Sequence, residues 1–395
     1  MTTDVDTDVD EGRVIRLDVD DTLSANSYKI KNNGVSEISI CGSDELSALR
    51  GLQCFYSKAV VNGNFVFPQG LDVAVTISSI RDAAVTVYQN KYYTYANNGQ
   101  GYSVYVSEDM LNWTKLANAF DASACTDSRY QGFKNNGEAQ AAFAENADFY
   151  APEVHEYGGY YYLFASYRHK TGNYRGTAIF RASTPAGPFE PWSNGFITPS
   201  GVNCIDGTLY VENGTPYMVY SVEFINFDAA VGGNYSYVQL KDDLSGVADG
   251  AGHTKMFDAK EAHWSRISSS ISDAPWLYRC EDGTLLMLWS NKDENGNYFV
   301  SVSKSSNGTI SGDWSHERLL YSSNATNSIF DEYRDGDSIY TITDGGHAMV
   351  FKSLEGRLYL SLHTVNDTET TGLATAATVI PIVEKNGMLY LDLLN

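Results

Sequence analysis

Positive charge is scarce in this chain: 27 lysines and arginines face 49 aspartates and glutamates, a formal net charge of −22 over 395 residues. A phosphate-binding surface needs a basic stripe, so this balance argues against nucleic acid as a partner, while neutral ligands such as sugars remain compatible. Long apolar runs are also missing. No stretch approaches the roughly 20 apolar residues of a membrane-spanning helix. Cys41, Cys54, Cys125, Cys204 and Cys280 are odd in number and scattered, with no Cys-x-x-Cys spacing. They read as buried free thiols rather than as a disulfide framework or a zinc site. Proline is sparse, and the polar, acidic start of the chain lacks the apolar core of a secretion signal. Its aspartate ladder has the look of a calcium loop, but the spacing completes no ligand set, and residues 1–24 are expected to be a solvated, disordered acidic tail.

Tyrosine and glycine are abundant instead, and short aromatic runs recur. Asp82-Ala-Ala-Val, Asp206-Gly-Thr-Leu-Tyr and Asp273-Ala-Pro-Trp-Leu-Tyr each open a candidate strand, followed by a turn at Gln89-Asn90, Asn213-Gly214 or Asp282-Gly283. A second strand follows each turn, as in Lys91-Tyr-Tyr-Thr-Tyr and Thr284-Leu-Leu-Met-Leu-Trp. Two more hairpins open with Tyr150-Ala-Pro-Glu-Val-His and with His347-Ala-Met-Val-Phe. Five hairpins at roughly regular spacing are the signature of a radial repeat, which predicts a mainly β chain folded as a five-bladed propeller. A propeller gathers the starts of its innermost strands around one axis. Asp82, Asp206 and Asp273, remote in the chain, are therefore expected in one funnel and at one phase of the repeat.

A different texture precedes the propeller. Ser27-Tyr-Lys-Ile-Lys and Val35-Ser-Glu-Ile-Ser-Ile-Cys alternate like paired strands, and Ser43-Asp44-Glu45-Leu46 starts a capped amphipathic helix. Residues 25–74 are thus expected to form a small α/β accessory domain, and 75–395 the propeller. The phrase Leu46 to Gln53 resembles the small α/β domain that precedes the barrel in hexosaminidase-type glycosidases.

From about residue 75 onward the resemblance is more specific. Ser79-Ile-Arg-Asp82, Asp109-Met-Leu-Asn-Trp113, Phe149-Tyr-Ala-Pro-Glu-Val-His155, Ile205-Asp-Gly-Thr-Leu-Tyr-Val211, Ser272-Asp-Ala-Pro-Trp-Leu-Tyr-Arg279 and Gly345-Gly-His347 occur in the order found in glycoside hydrolase family 43. The resemblance implies hydrolysis of arabinosides, xylosides or related linkages of plant polysaccharides. It assigns Asp82 as general base, Asp206 as modulator of the acid's pKa, and residue 273 as general acid. Inverting hydrolysis needs a base and an acid about 6.5–9.5 Å apart, with room for a water between. A third carboxylate can keep the acid protonated through like-charge repulsion.

Two departures matter. Most of the family has glutamate where this chain has Asp273, and proline where it has Ala83. A shorter acid draws the carboxyl back by about 1.5 Å, which acid catalysis tolerates poorly. Glu223 is the alternative acid, because the hairpin opened by Asp206 returns to the funnel rim there. Tyr150, Glu153, Phe224 and His347 are the remaining candidates for substrate binding: Tyr150 as a ring for stacking on sugar or for core packing, and Glu153 as a wall or hydrogen-bonding residue. The counterpart of His347 faces the central channel in the family, in some members near a metal ion. No cofactor is expected to be required, with a structural calcium in the channel as the metal to test. Two other classes compete: a carbohydrate-binding propeller that has lost catalysis, favoured by Asp273, and a protein-interaction propeller, which needs no convergent carboxylates. The fructan-cleaving propellers carry an Asn-Asp-Pro-Asn phrase that is missing here. Loops such as Cys125 to Glu145 and Glu223 to Gly233 would set pocket depth.

Overall fold

The structure, a computed structural model, describes residues 14–391 except 24–26, 33–36, 46, 50, 53–59, 62–63, 66–71, 77–79, 99–100, 111–112, 123, 125–148, 169–173, 224–232, 266–270, 295, 297, 323–344 and 366–374. Near the start, β1 (Val14–Val19), β2 (Ser27–Asn32), β3 (Glu37–Gly42), the short pair β4 (Val60–Val61) and β5 (Asn64–Phe65), and β6 (Asp72–Thr76) precede the repeats. Four of them form one sheet in the order β1-β3-β2-β6, with β1 parallel to β3. Asp44 caps the helical turn after β3 by accepting the Ser47 N–H at 2.7 Å, as its position before Glu45 predicts. Part of the segment expected as a disordered tail, Val14–Val19, is strand β1. Ile15 and Leu17 are half-buried while Arg16 and Asp18 are exposed, a period-two pattern masked in the sequence by its acidic neighbours. The expected boundary at 74 falls inside β6.

Five four-stranded antiparallel sheets follow, each built from one continuous segment. The first contains β7 (Val85–Tyr88), β8 (Lys91–Asn97), β9 (Gly101–Ser107) and β10 (Thr114–Asp121). The second contains β11 (Phe149–Tyr157), β12 (Tyr160–Arg168), β13 (Arg175–Ala182) and β14 (Glu190–Pro191). The third contains β15 (Cys204–Glu212), β16 (Thr215–Val222), β17 (Asn234–Gln239) and β18 (Thr254–Asp258). The fourth contains β19 (Asp273–Arg279), β20 (Leu285–Lys292), β21 (Tyr298–Ser305) and β22 (Trp314–Ser322). The fifth contains β23 (Gly346–Lys352), β24 (Leu358–Val365), β25 (Thr375–Lys385) and β26 (Met388–Leu391). Successive sheets touch through their inner strands: β11 meets β8, β15 lies between β11 and β19, and β23, beside β19, returns to β7, so the five sheets close as the blades of a propeller.

The apolar side chains are packed between blades. Tyr95, Tyr102, Phe149 and Phe180 join the first two, and Leu286, Leu288, Leu360 and Leu362 join the last two. Second strands are buried on both faces, as β20 shows from Leu285 to Asn291, which is why they read as continuous apolar runs rather than alternating ones. The turn at Asn213 and Gly214 has φ of 51° and 83°, the left-handed pair of a tight hairpin that asparagine and glycine favour. Among the described residues, ring closure shares no strand: the first and last blades are joined by packing of Val85 and Tyr92 against Phe351 and Tyr359, and by a hydrogen bond from the Ser361 hydroxyl to the Ala83 carbonyl. Cys204 and Cys280 are buried free thiols and Cys41 is half-buried; Cys54 and Cys125 lie outside the described residues.

Candidate active site

One backbone device recurs at the mouth of the ring. The first strand of each later blade carries an extra residue near its start, with pairing skipping from Tyr150 to Glu153, Ile205 to Thr208, Asp273 to Trp276 and Gly346 to Met349. The first bulged residue is left-handed each time: Ala151, Asp206, Ala274 and His347 have φ of 31°, 56°, 54° and 56°, and Asp82 in the first blade has 56°. Bulges re-aim side chains and are common beside active sites. The second strand of one blade then steadies the left-handed residue of the next. Ser166 Oγ accepts the Asp206 N–H at 2.9 Å, Ser290 Oγ accepts the His347 N–H at 2.9 Å, and His363 Nδ1 lies 3.3 Å from the Asp82 nitrogen. In the fourth blade the Ala274 N–H goes instead to Asp206 Oδ2 at 2.9 Å, and Ser221 Oγ, at the matching place, is buried without a partner.

This register corrects one expectation. Asp82 and Asp206 share a phase, but Asp273 stands one residue earlier, where the second blade has Tyr150; Ala274 holds the left-handed place. The three carboxylates converge nonetheless. Asp82 Oδ1 and Asp206 Oδ2 lie 3.2 and 3.8 Å from the same atom, His347 Nδ1, and Asp82 Oδ1 is 3.1 Å from His363 Nδ1. Asp273 Oδ2 accepts the Tyr298 hydroxyl at 3.0 Å.

Their environments drive them apart in proton affinity. Burial alone would raise Asp82, but His347, His363 and Arg81 outweigh it and hold this carboxyl well below the usual range. Its side chain is 15 % exposed against 2 % for Asp206. Asp206 is pushed far the other way by burial and by the charges of Asp273 and Asp82, with the Ala274 N–H pulling against them. Asp273 is raised to about 6 by burial, with Glu223 and Asp82 adding to it and His347 and Tyr298 opposing. Asp206 and Asp273 thus resist carrying two charges at once and titrate as a pair. Burial also lowers His347, which favours a neutral ring able to donate Nδ1–H to Asp82.

A stability consequence follows with a definite sign. Asp206 binds its proton more tightly folded than unfolded, so it costs stability increasingly as pH climbs above the ordinary carboxylate range. Asp206→Asn, with no charge to bury, is expected to melt above the wild type at pH 8 and to lose that advantage near pH 4. Calorimetry at both values checks this; equal differences at the two pH values would show that the carboxylate is not strained.

Glu223 returns to the ring at the end of β16, close enough to raise both Asp206 and Asp273. It is buried, which raises its own affinity for a proton, but Arg175 pairs with it at 2.7 Å and opposes the rise. The same Arg175 guanidinium lies 4.7 Å above the Tyr150 ring, so one face of the expected stacking surface is covered. Glu153 is buried and bonds His155 Nε2 at 3.0 Å. Phe224 and most of the two depth-setting loops lie outside the described residues. His363, Tyr298 and Arg175 were not anticipated from the sequence. The first was accessible to the reasoning that found Glu223, since the β23–β24 hairpin pairs His363 with Gly346.

Among the described residues, no group of three potential metal ligands includes His347. His347 Nε2 and Glu153 Oε1 are both buried without a hydrogen-bond partner. Calcium takes six to eight oxygen ligands. Among the described residues, however, the one group of three potential ligands is Cys280, Asp282 and Glu384, away from His347. No step below passes through a metal.

The sequence profile of glycosyl hydrolases family 43 matches residues 74–387. Among solved structures, an endo-arabinase from Bacteroides thetaiotaomicron is 31% identical with a TM-score of 0.62, the match covering 79% of this chain and 99% of that one. An endo-1,4-β-xylanase from the same organism is 21% identical, with a TM-score of 0.60 over 80% and 95% of the two chains. An α-L-arabinanase from Cellvibrio cellulosa, complexed with arabinohexaose, is 18% identical, with a TM-score of 0.55 over 80% and 96%. At these lower identities the likeness is one of fold. No curated protein matched the chain. None of the described helices is long and apolar enough to cross a membrane. With the profile spanning most of its length, its five blades and a relative 31% identical over 79% of the chain, the chain belongs to glycosyl hydrolases family 43 and is a glycoside hydrolase.

Proposed function

We propose that the protein hydrolyses arabinosyl linkages of plant-type polysaccharide with inversion at the anomeric carbon, Asp82 acting as base, Asp273 as acid and Asp206 as modulator of the acid. The carrying observation is the opposed proton affinity of carboxylates grouped about His347: Asp82 is held charged while the Asp206 and Asp273 pair retains a proton. A base must be charged and an acid protonated at the same pH, and this separation supplies both. Arabinose is favoured because the relative at 31% identity is an endo-arabinase.

In the proposed reaction the Asp82 carboxylate takes a proton from water as it attacks the anomeric carbon. The bond from that carbon to the leaving oxygen breaks, and that oxygen receives the proton of Asp273. His347 and His363 hold Asp82 aimed and ionised. Asp206, with Oδ2 accepting the Ala274 N–H, resists sharing the site with a second charge, and this repulsion favours the protonated form of Asp273. Glu223 is a poorer acid in this arrangement, since Arg175 stabilises its charged form.

Two measurements test the reading. On aryl α-L-arabinofuranoside, aryl β-D-xyloside and linear arabinan, the arabinosides are expected to be cleaved and the first product seen by NMR to have inverted configuration. Retention, or a trapped glycosyl-enzyme, rules out the mechanism, and cleavage of the xyloside alone moves the substrate assignment. The pH profile of kcat/KM is expected to fall above about pH 6, as Asp273 loses its proton, and to persist toward acid until the fold fails, because Asp82 stays charged there.

A further inference from the structure

Asp273 has one methylene fewer than the glutamate common at its place in the family, so something other than side-chain length must fix its carboxyl. The first residues of two third strands offer a comparison. Arg175 pairs with Arg168, two residues beyond Ser166, and Tyr298 pairs with Lys292, two residues beyond Ser290, so they occupy one register in the second and fourth blades. Both reach a carboxyl at the site: Arg175 holds Glu223 at 2.7 Å and Tyr298 holds Asp273 at 3.0 Å. Their chemistry differs. A guanidinium locks its partner as a charged carboxylate, whereas a phenol donates one hydrogen bond and leaves the other oxygen able to carry a proton.

Tyr298 is itself braced. Its buried ring stacks on His363, with centroids 5.7 Å apart and planes 20° apart, and His363 touches Asp82. Room for the ring is provided by Gly346, where a Cβ would come within 2.5 Å of it; Gly345 similarly clears Tyr321. The Gly345-Gly346-His347 phrase thus both seats the phenol and opens the fifth blade. We infer that Tyr298 is a positioning residue for the general acid: its hydroxyl fixes the shortened Asp273 side chain, and its stacking on His363 ties that position to the imidazole that holds Asp82.

This rests on the proposed role of Asp273 only for its effect on catalysis; the hydrogen bond can be tested without it. Asp273 is faced by His347 from β23, Glu223 from the end of β16, Asp82 ahead of β7, Asp206 from β15, and the Tyr235 and Tyr298 hydroxyls. Of these, only the Tyr298 hydroxyl is removed by Tyr298→Phe, which keeps the ring.

The test follows the Asp273 carboxyl carbon by NMR through a pH titration, assigned by its loss in Asp273→Asn. In Tyr298→Phe the midpoint is expected to rise by about one pH unit, the value of a hydrogen bond to a charged group. The alkaline limb of kcat/KM should move with it. Turnover of arabino-oligosaccharide should fall on the order of 10- to 100-fold, turnover of the activated aryl glycoside much less, and KM should change little. Gly346→Ala, which displaces the ring but keeps every functional group, should raise the midpoint too, and serves alone if Tyr298→Phe does not fold. An unmoved midpoint in the folded variant overturns the inference. Should the midpoint move while Asp273→Asn spares oligosaccharide turnover, Tyr298 still positions the carboxyl and it is the acid assignment that fails.

Discussion

Asp82→Asn is expected to reduce turnover on the order of 10³- to 10⁴-fold while leaving the fold and sugar binding intact. The amide is nearly isosteric, and asparagine accepts the left-handed backbone at 56° that this position demands. Alanine would confound the result by adding backbone strain. Circular dichroism and ligand titration of the variant separate lost chemistry from lost structure. Activity within tenfold of the wild type would remove Asp82 from the reaction.

Asp273→Asn should show a different signature. A missing acid hurts poor leaving groups most, because a nitrophenolate departs without a proton and a sugar alcohol does not. Oligosaccharide turnover should therefore fall on the order of 10³-fold, with a much milder loss on the nitrophenyl glycoside, and azide should accelerate the variant on the aryl substrate. Glu223→Gln is expected to lack this contrast, since it breaks the pair with Arg175 and acts through binding and stability. If Glu223→Gln alone shows the contrast, the acid is Glu223 and Asp273 positions the sugar.

The ring of blades was legible because its hairpins advertise themselves: second strands buried on both faces are written as unbroken apolar runs, and tight turns as Asn213-Gly214. The offset of Asp273 was not legible. A bulge adds one residue without any compositional mark, and the loop after β19, from Cys280 to Thr284, is longer than the two-residue turn after β15, so counting back from the turn misplaces the strand by one. The convergence of the carboxylates survived this error because adjacent residues at a bulge can both be aimed inward. Tyr298 and Arg175 open third strands, where the sequence has no motif to distinguish a residue reaching into the site from one facing solvent. β1 was hidden for a simpler reason, its apolar alternation being diluted by the charged residues around it.

Closure of the ring falls at Asp82, the proposed base. The Asp82 N–H faces His363, the Ala83 carbonyl is held by Ser361, and both partners belong to the fifth blade. Asp82 thus precedes the first blade's strands in the chain while the imidazoles that shape it, His347 and His363, come from the last blade. With Asp82 as the proposed base, a chain cut before the fifth blade is expected to be inactive even where its other blades fold.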